Sequence, residues 1–242
     1  PDIDYTPIAD EVEYGGTGYN LTKNLPYEIE HIMPDYSLYG ITDTAYGFLT
    51  RGCPKHCYFC IVGNKEELRA TKVAYLSEWW NGQKYIKLLD PNILACRDRS
   101  DLLEQLIESR AYVDITQGLD IRLTNDQIAE QLGRMKVKRI HFAWDNPKQD
   151  LTNYFADFSR WYKRKSRSTK VVYVLTNFNS TMEENLYRIY TLRDLGYDPY
   201  VMIYDKPNAP QEIRDLQRWV NNFRIFRKCE RFEDYVPHRK RG

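Results

Sequence analysis

Strand-like and helix-like segments alternate along the chain between residues 44 and 204. Apolar and β-branched runs predict six strands, at residues 44–50, 84–89, 112–116, 139–144, 171–175 and 200–204. The segments between them carry apolar residues at helical spacing. This alternation is typical of a parallel sheet whose strands are joined by crossover helices. The pattern therefore predicts an α/β fold.

Start and stop signals define the intervening helices. A short helix is expected at 73–80, and Ser100 is expected to cap a helix over 101–110. Thr124 or Asn125 is expected to cap the next helix. Ser180 or Thr181 is expected to begin a later helix, which Gly196 ends. An amphipathic helix between the fourth and fifth strands carries the aromatic residues Tyr154, Phe155, Phe158 and Trp161.

Six β-then-α units with right-handed crossovers predict a partial (β/α)6, TIM-like barrel, with an open doubly wound sheet as the alternative. We expect the core at 41–210. Residues 1–40, rich in Gly, Pro and Tyr, predict an N-terminal wrapping segment. Residues 211–242 predict a C-terminal extension: a helix within 214–232 that covers the open side or contacts RNA, then a solvated basic tail at 239–241.

Polar side chains follow nearly every predicted strand. In parallel α/β folds ligands bind at the carboxyl ends of the strands, so these residues are predicted to share one mouth. Taken singly, each is also an ordinary turn or helix-cap residue. The candidates are Asp90, Asn92, Gln117, Asp120, Arg122, Asp145, Asn177, Asn179 and Tyr204.

Composition narrows the class of protein. The 242 residues are 42% hydrophobic and 29% charged, with a formal net charge of +1, which excludes disordered and fibrous classes. Nucleic acid is neither required nor excluded by this charge. No apolar run approaches the ~20 residues of a membrane helix, and no leader is present, so a cytoplasmic protein without a membrane partner is expected. Because the chain starts at Pro1, a missing N-terminal part is expected.

Three of the five cysteines lie in one loop, at Cys53, Cys57 and Cys60. Thiolates this close together can hold a metal or an iron–sulfur cluster, and three of them leave one iron of a four-iron cluster open to a small chelating molecule. His56 could complete a zinc site instead, and a disulfide would leave one thiol over. Cys96 and Cys229 are too scattered for a second cluster.

The spacing Cys-x3-Cys-x2-Cys, with Phe59 directly before the last cysteine, resembles the signature of the radical S-adenosylmethionine (radical SAM) superfamily. The resemblance covers about residues 39–205 and also implies the partial barrel. It implies a [4Fe–4S] cluster on the three cysteines and S-adenosylmethionine on its open iron. Reductive cleavage would then give a 5′-deoxyadenosyl radical that abstracts hydrogen from a substrate. An electron donor such as flavodoxin or ferredoxin is expected.

The resemblance also implies roles for single residues. Phe59 corresponds to the aromatic that packs on adenine, with core packing as its alternative. Asp90 and Asn92 lie where the second strand of the superfamily ends in groups that receive the methionine ammonium, although the usual Gly-Gly-Glu is absent here. Arg122 is a cation that can pair with the methionine carboxylate. The other polar residues at the strand ends are expected to contact the cofactor or the substrate.

Residues 50–53 and 12–18 resemble the superfamily branch that carries an upstream cobalamin-binding domain. Because no Asp-x-His-x-x-Gly motif occurs, cobalamin is not predicted. A nucleic-acid- or nucleotide-modifying radical methyl- or methylthiotransferase, using the basic segment 160–170, is one alternative. A zinc- or iron–sulfur-binding interaction protein without turnover is another. The substrate, the product, the fate of S-adenosylmethionine and the oligomeric state stay open.

Overall fold

The computed structural model of the protein describes Tyr14, Gly16 and residues 19–163 and 170–237. Its strands are β1 Thr44–Gly47, β2 Thr50–Arg51, β3 Thr71–Lys72, β4 Tyr85–Leu88, β5 Tyr112–Leu119, β6 Val137–Ala143, β7 Lys170–Thr176 and β8 Asp198–Ile203. Its α-helices are α1 Tyr27–Glu30, α2 Val62–Lys65, α3 Arg99–Glu108, α4 Asp126–Arg134, α5 Thr152–Trp161, α6 Met182–Asp194, α7 Gln211–Asn221 and α8 Phe223–Lys228. No helix in these ranges is long and apolar enough to cross a membrane.

Six strands form one parallel sheet in the order β1-β4-β5-β6-β7-β8. All six predicted strands are present in it, so the α/β prediction is confirmed. The strands follow one another in chain order, whereas a doubly wound sheet reverses its order at a switch point. Strands β2 and β3 form a separate antiparallel pair.

Burial alternates along the strands and places the core on one face of the sheet. In β4, Ile86 and Leu88 are completely buried, while Tyr85 and Lys87 on the opposite face are partly exposed. The buried face packs against helices whose apolar residues follow helical spacing, such as Leu102 in α3. Apolar contact with the helices therefore holds the sheet from one side.

Three sequence expectations differ from the structure. The predicted strand 44–50 is two strands, because the chain leaves the large sheet after β1. Residues 73–80 form a 3-10 turn at Leu76–Glu78 instead of a helix, and the Leu76 N–H donates to Gln105 Oε1 (3.0 Å). Ser100 lies inside α3 and is not its cap; its hydroxyl accepts a hydrogen bond from Gln131 Nε2 (3.1 Å).

The expected caps of two later helices are confirmed. The Asn125 side chain accepts from the Ile128 N–H at the start of α4. Thr181 and Glu184 form a reciprocal capping box at the start of α6. Gly196 follows the end of α6 with a φ of 81°, a value that glycine adopts without strain.

The C-terminal extension covers the edge strand β8. Asn221 Oδ1 accepts from the Val201 N–H (2.8 Å), and Asn221 Nδ2 and Gln217 Nε2 donate to Val201 O (3.0 Å each). These side chains satisfy backbone groups that an edge strand otherwise exposes. The single helix expected within 214–232 is two helices, because Asn222 breaks it and caps α8. The basic tail at 239–241 lies outside the described residues.

The described part of the N-terminal segment contacts the start of the sheet. The single hydroxyl hydrogen of Tyr36 lies within hydrogen-bond reach of two carbonyl oxygens, Tyr46 O (2.9 Å) and Trp79 O (3.0 Å). Glu30 pairs with Arg51 at 3.1 Å. Residues 1–13, and with them most of the motif at 12–18, lie outside the described residues.

Arg188 of α6 ties the carboxyl ends of β6 and β7 together. It is 1% exposed, and its guanidinium donates to Trp144 O (2.6 Å), Leu175 O (3.0 Å) and Asn185 Oδ1 (2.6 Å). Burial lowers the pKa of Arg188 to about 10, and the charge of Asp145 opposes that shift. A cation with this many carbonyl partners stays ionised and holds the two strand ends at a fixed separation.

Replacement of Arg188 by Met should destabilise the fold strongly. The substitution keeps the length of the side chain but leaves buried carbonyl groups without donors, so we expect a loss of at least ~3 kcal/mol. Chemical denaturation measures the free energy of unfolding. The control is Arg134→Met, which removes an exposed ion pair with Glu104 and should cost no more than ~1 kcal/mol. Similar losses in both variants would contradict the role of Arg188.

Candidate functional site

The cysteine loop, residues 53–60, begins where the chain leaves β2. Gly52 has a φ of 85°, and a Cβ there would lie 2.1 Å from Arg69 O, so only glycine fits. The Gly52 N–H donates to Glu66 Oε2 (2.6 Å), and the Cys53 N–H donates to Glu67 O (3.1 Å). Backbone contacts with the segment before β3 thus fix the start of the loop.

Asp90 fixes the same loop from the large sheet. It follows β4, is 2% exposed, and accepts hydrogen bonds from the Leu49 N–H (2.8 Å), the Thr50 N–H (2.7 Å) and the Thr50 hydroxyl (2.6 Å). Burial raises the pKa of Asp90 to about 7, against the opposing effect of these hydrogen bonds. Asp90 was expected to receive the methionine ammonium, but the structure engages both of its oxygens inside the fold.

A large cavity opens beside the cysteine loop, with a volume of about 1410 Å³. It exceeds the ~300–1,000 Å³ of an ordinary small-molecule pocket. Most of the predicted site residues line it: Cys53, Cys57, Phe59, Cys60, Asn92, Gln117, Asp120, Arg122, Asp145 and Asn179. Asp90, Asn177 and Tyr204 are not among its lining residues.

All three cysteines of the loop are free thiols on the wall of this cavity. Cys57 is exposed on the cavity wall, yet the surrounding protein partly desolvates its thiol and raises its pKa, and the charges of Asp145, Cys60 and Cys53 raise that pKa further. In the described ranges, no three His, Cys, Asp or Glu side chains are gathered closely enough to hold a single metal ion. The zinc alternative therefore has no assembled ligand set there. A [4Fe–4S] cubane does not need three ligands gathered around a single ion, because each thiolate binds a different iron atom.

Asn92 provides a polar atom that fits a bound cofactor. It is 3% exposed, and its Nδ2 lies 3.9 Å from Cys53 Sγ. Its Oδ1 is buried and has no hydrogen-bond partner within the part of the chain that the structure describes. A buried acceptor without a donor is costly unless a ligand supplies one. The Asn92 oxygen is therefore available to a hydrogen-bond donor on a ligand that lies beside Cys53.

Asp120 links the cysteine loop to Arg122. Its carboxylate accepts from Arg122 Nε (2.7 Å) and Nη2 (3.1 Å) and pairs with Lys55 Nζ (3.0 Å). Burial would raise the pKa of Asp120, but the hydrogen bonds and charges of Arg122 and Lys55 outweigh it and lower the pKa. Arg122 Nη1 also donates to Gln149 Oε1 (2.6 Å). These contacts leave Arg122 two N–H donors for a ligand.

Asp145 follows β6 and faces the same cavity as the thiols. Burial raises the pKa of Asp145 to about 6, while a hydrogen bond with the Leu175 backbone and the charge of Arg188 oppose the shift. Because Asp145 raises the pKa of Cys57, the two groups lie within electrostatic reach. Gln117 lines the cavity and is exposed in the middle of β5, where the register with β6 shifts.

An aromatic contact joins the cysteine loop to the far strands. Phe59 meets Phe178 edge to face, with ring centroids 5.7 Å apart, and Phe178 lies 4.8 Å from Tyr204. Asn177 and Asn179 flank Phe178 with φ values of 61° and 51°. The Asn177 Nδ2 donates to Tyr204 O (2.9 Å), so Asn177 and Tyr204 support the Phe178 turn.

Sequence reasoning missed Lys55, Gln149 and Phe178. The Asn-Phe-Asn run around Phe178 was a usable signal, because asparagine tolerates left-handed backbone better than most residues. Lys55 and Gln149 gave no such signal, since their partners Asp120 and Arg122 are distant along the chain.

Comparison with known proteins identifies no relative. No protein-family model matches the chain, and no curated protein is significantly similar to it. The function therefore has to be argued from the residues and their geometry.

Asp90→Asn should lower the melting temperature, because one amide N–H would then face a backbone N–H or the Thr50 hydroxyl. We expect a loss of ~1–3 kcal/mol. The pKa of Asp90 is raised on folding, so its contribution to stability is complete below about pH 4 and is lost as the pH rises through about 7. Melting curves of Asp90→Asn should accordingly depend less on pH across that window.

The control for Asp90 is Asp98→Asn. Asp98 is exposed and caps no helix with its side chain, so this variant should melt like the parent protein. Equal melting temperatures for the Asp90 and Asp98 variants would show that the Asp90 contacts do not hold the loop.

Proposed function

We propose that this protein is a radical S-adenosylmethionine enzyme built on a partial (β/α)6, TIM-like barrel. The observation that carries the proposal is three free thiols on one loop, on the wall of a cavity that they share with polar residues from the ends of several parallel strands. The parallel sheet with strands in chain order supports the barrel.

Cys53, Cys57 and Cys60 would hold a [4Fe–4S] cluster, and three ligands leave one iron for S-adenosylmethionine. When bound, the pair supplies one-electron chemistry that generates a radical able to abstract hydrogen from a substrate. Cys53 begins the loop that Asp90 and Gly52 fix in place. Cys57 is exposed, which allows an electron donor such as flavodoxin or ferredoxin to approach it.

The chain's own residues would bind and orient the cofactor. Asn92 Oδ1 would accept a hydrogen bond from the methionine ammonium, since it has no described partner in the fold. The two remaining N–H donors of Arg122 would receive the methionine carboxylate, while Asp120 holds the guanidinium. Phe59 would offer its ring to adenine, and Phe178 fixes the orientation of that ring.

The cavity would place one C–H bond of the substrate near the reactive carbon. Hydrogen abstraction depends strongly on distance, and a misplacement of ~1 Å can cost about a hundredfold in rate. Asn179 lines the side of the cavity that β7 and β8 form. We place the substrate on that side. Five free thiols fit a reducing, cytoplasmic compartment.

The two alternatives differ in their support. The interaction protein without turnover has no specific observation in its favour. The basic segment 160–170, which suggested nucleic-acid modification, lies largely outside the described residues. A different surface, the face of the sheet opposite the helices, favours a nucleic-acid substrate.

The first test is of the cluster ligands. Cys53→Ala, Cys57→Ala and Cys60→Ala should each abolish the four-iron absorption band after anaerobic reconstitution, and should release no 5′-deoxyadenosine after reduction. Cys96→Ala and Cys229→Ala are the controls and should keep both, because these thiols lie outside the loop. Full iron loading in any loop variant, or zinc in place of iron in the parent protein, would overturn the proposal.

The second test is of cofactor binding. Asn92→Ala should keep the cluster but bind S-adenosylmethionine at least about tenfold more weakly, which corresponds to the loss of a hydrogen bond to a charged group. Titration calorimetry of the anaerobic protein measures the affinity. Asp35→Ala removes the cap of the turn at Tyr36–Tyr39, which does not line the cavity, and should lower stability without changing the affinity. An unchanged affinity in the Asn92 variant would contradict its assignment.

A further inference from the structure

The face of the sheet opposite the helices, here called the inner face, is polar and aromatic. Pairing between neighbouring strands puts four of its residues in one row: Tyr46 of β1 beside Lys87 of β4, then Asp114 of β5 and Arg139 of β6. The interior of a closed (β/α)8 barrel is normally filled with branched apolar side chains. The inner face is built differently, so it is available to a ligand.

Lysines lie over tyrosine rings along the amino-terminal half of the inner face. Lys84 and Lys138 lie 5.3 and 5.0 Å from the centre of the Tyr85 ring. Lys136 lies 5.6 Å from the ring of Tyr112, which is itself 5.7 Å from the ring of Tyr85. The rings and the cations therefore form one continuous group.

Positive charge dominates this group. Lys84, Lys136, Lys138 and Arg139 are exposed, and Lys87 is partly exposed over the Tyr46 ring at 5.2 Å. Across residues 19–163 and 170–237, none of these cations forms an ion pair with a carboxylate. Asp114 is the carboxylate within the row. Charges balance over the whole chain, whose net charge is only +1, but the five cations gathered here create a local region of positive potential.

The inner face is continuous with the cavity. Tyr112, Asp114 and Thr116 alternate along β5 on one side, and Thr116 lines the cavity. On β6, Arg139 and His141 line it as well, and the His141 ring stacks on Tyr173 with centroids 5.1 Å apart and planes within 3°. A ligand on the lysines and tyrosines can therefore extend into the cavity that holds the cysteine loop.

We propose that the inner face binds a single strand of nucleic acid, and that this strand is the substrate presented to the cysteine loop. The identification as substrate rests on the proposed function, whereas the binding does not. Grooves that bind single strands combine cations for the phosphates with aromatic rings on which bases stack. Lys84, Lys136 and Lys138 supply the first element, and Tyr85 and Tyr112 supply the second.

Two features favour a single strand over the alternatives. A duplex keeps its bases stacked inside, so tyrosine rings on a sheet would have no base to stack against. An acidic protein partner would engage the lysines but would give no reason for the adjacent aromatic rings at their centre, Tyr85 partly exposed and Tyr112 exposed. A single strand uses both the charge and the rings.

The test is a binding titration by fluorescence anisotropy on the anaerobically reconstituted protein. The probes are labelled RNA and DNA single strands of about 20 nucleotides, longer than the ~4–16 nucleotides that one such groove covers, and the corresponding duplexes. We expect at least one single strand to bind more tightly than its duplex. The stronger of the RNA and DNA arms identifies the sugar that the site prefers.

Paired variants separate stacking from charge. Tyr85→Leu and Tyr112→Leu should each weaken binding at least about fivefold, the lower range for one base stacked on an aromatic ring. The control Tyr154→Leu, at an exposed tyrosine of α5, should leave the affinity unchanged.

The lysines are tested by the salt dependence of binding. Lys138→Ala should reduce the slope of log affinity against log salt by about 0.7, the value for one phosphate on a single strand. Lys148→Ala, which removes an exposed partner of Glu184, should leave the slope unchanged.

Three outcomes would overturn the inference. The first is no binding of either single strand by a protein that holds iron and cleaves S-adenosylmethionine, which leaves the proposed function standing. The second is binding that the tyrosine variants do not weaken while their melting temperatures stay at the parent value. The third is lysine variants that lose flavodoxin binding but bind oligonucleotide normally. Tight strand binding by a protein that assembles no cluster would instead overturn the proposed function alone.

Discussion

The buried carboxylate of Asp90 is the contact on which the position of the cysteine loop depends. It accepts two backbone N–H groups and one hydroxyl from Leu49 and Thr50, at the point where the chain leaves β1. Without it, these donors would be buried with no acceptor on the sheet. Gly52 and Glu66 then direct the chain into the loop. Three thiols with no regular secondary structure of their own thus take their place from Asp90, which follows β4, together with the contacts of Gly52 and Glu66.

The two faces of the sheet differ in their side chains and in what packs against them. The face against the helices carries the apolar core, and Arg188 holds the ends of β6 and β7 on that side. The inner face does not pack against the helices, so it can carry lysines, tyrosines, His141 and Asp114. A sheet that is held from one side leaves its other side open, and the carboxyl ends of its strands lie on the same cavity as the cysteines.

Much of the fold could be predicted because it depends on local patterns. Apolar alternation gave all six strands, and the caps at Asn125 and Thr181 follow from their own short sequences. The predictions that were wrong depended on distant partners. Gln105 holds the turn at Leu76, and Gln131 engages Ser100, so neither segment could be assigned from its own residues. The β2–β3 pair is too short to leave a periodic signal.

The candidate site also has one part that could be predicted from local sequence and another part that depends on distant contacts. Asn92, Asp120 and Arg122 were chosen for their positions after strands, and they line one cavity with the cysteines. Position after a strand could not separate Asp90 from Asn92, because only the three-dimensional contacts reveal that the Asp90 carboxylate is fully engaged and that the Asn92 amide oxygen has no partner among the described residues. The grouping of lysines and tyrosines on the inner face could not be predicted from the sequence either, because the pairing between strands decides which lysine lies near which tyrosine.

Mössbauer spectroscopy of protein reconstituted anaerobically with ⁵⁷Fe, before and after addition of S-adenosylmethionine, tests the central claim most directly. Three cysteine ligands leave one of the four irons of a cubane open to the added molecule. We expect a [4Fe–4S] spectrum in which S-adenosylmethionine changes the signal of one iron and leaves the other three unaltered. A spectrum without a four-iron cluster, or one that S-adenosylmethionine leaves unchanged, would contradict it.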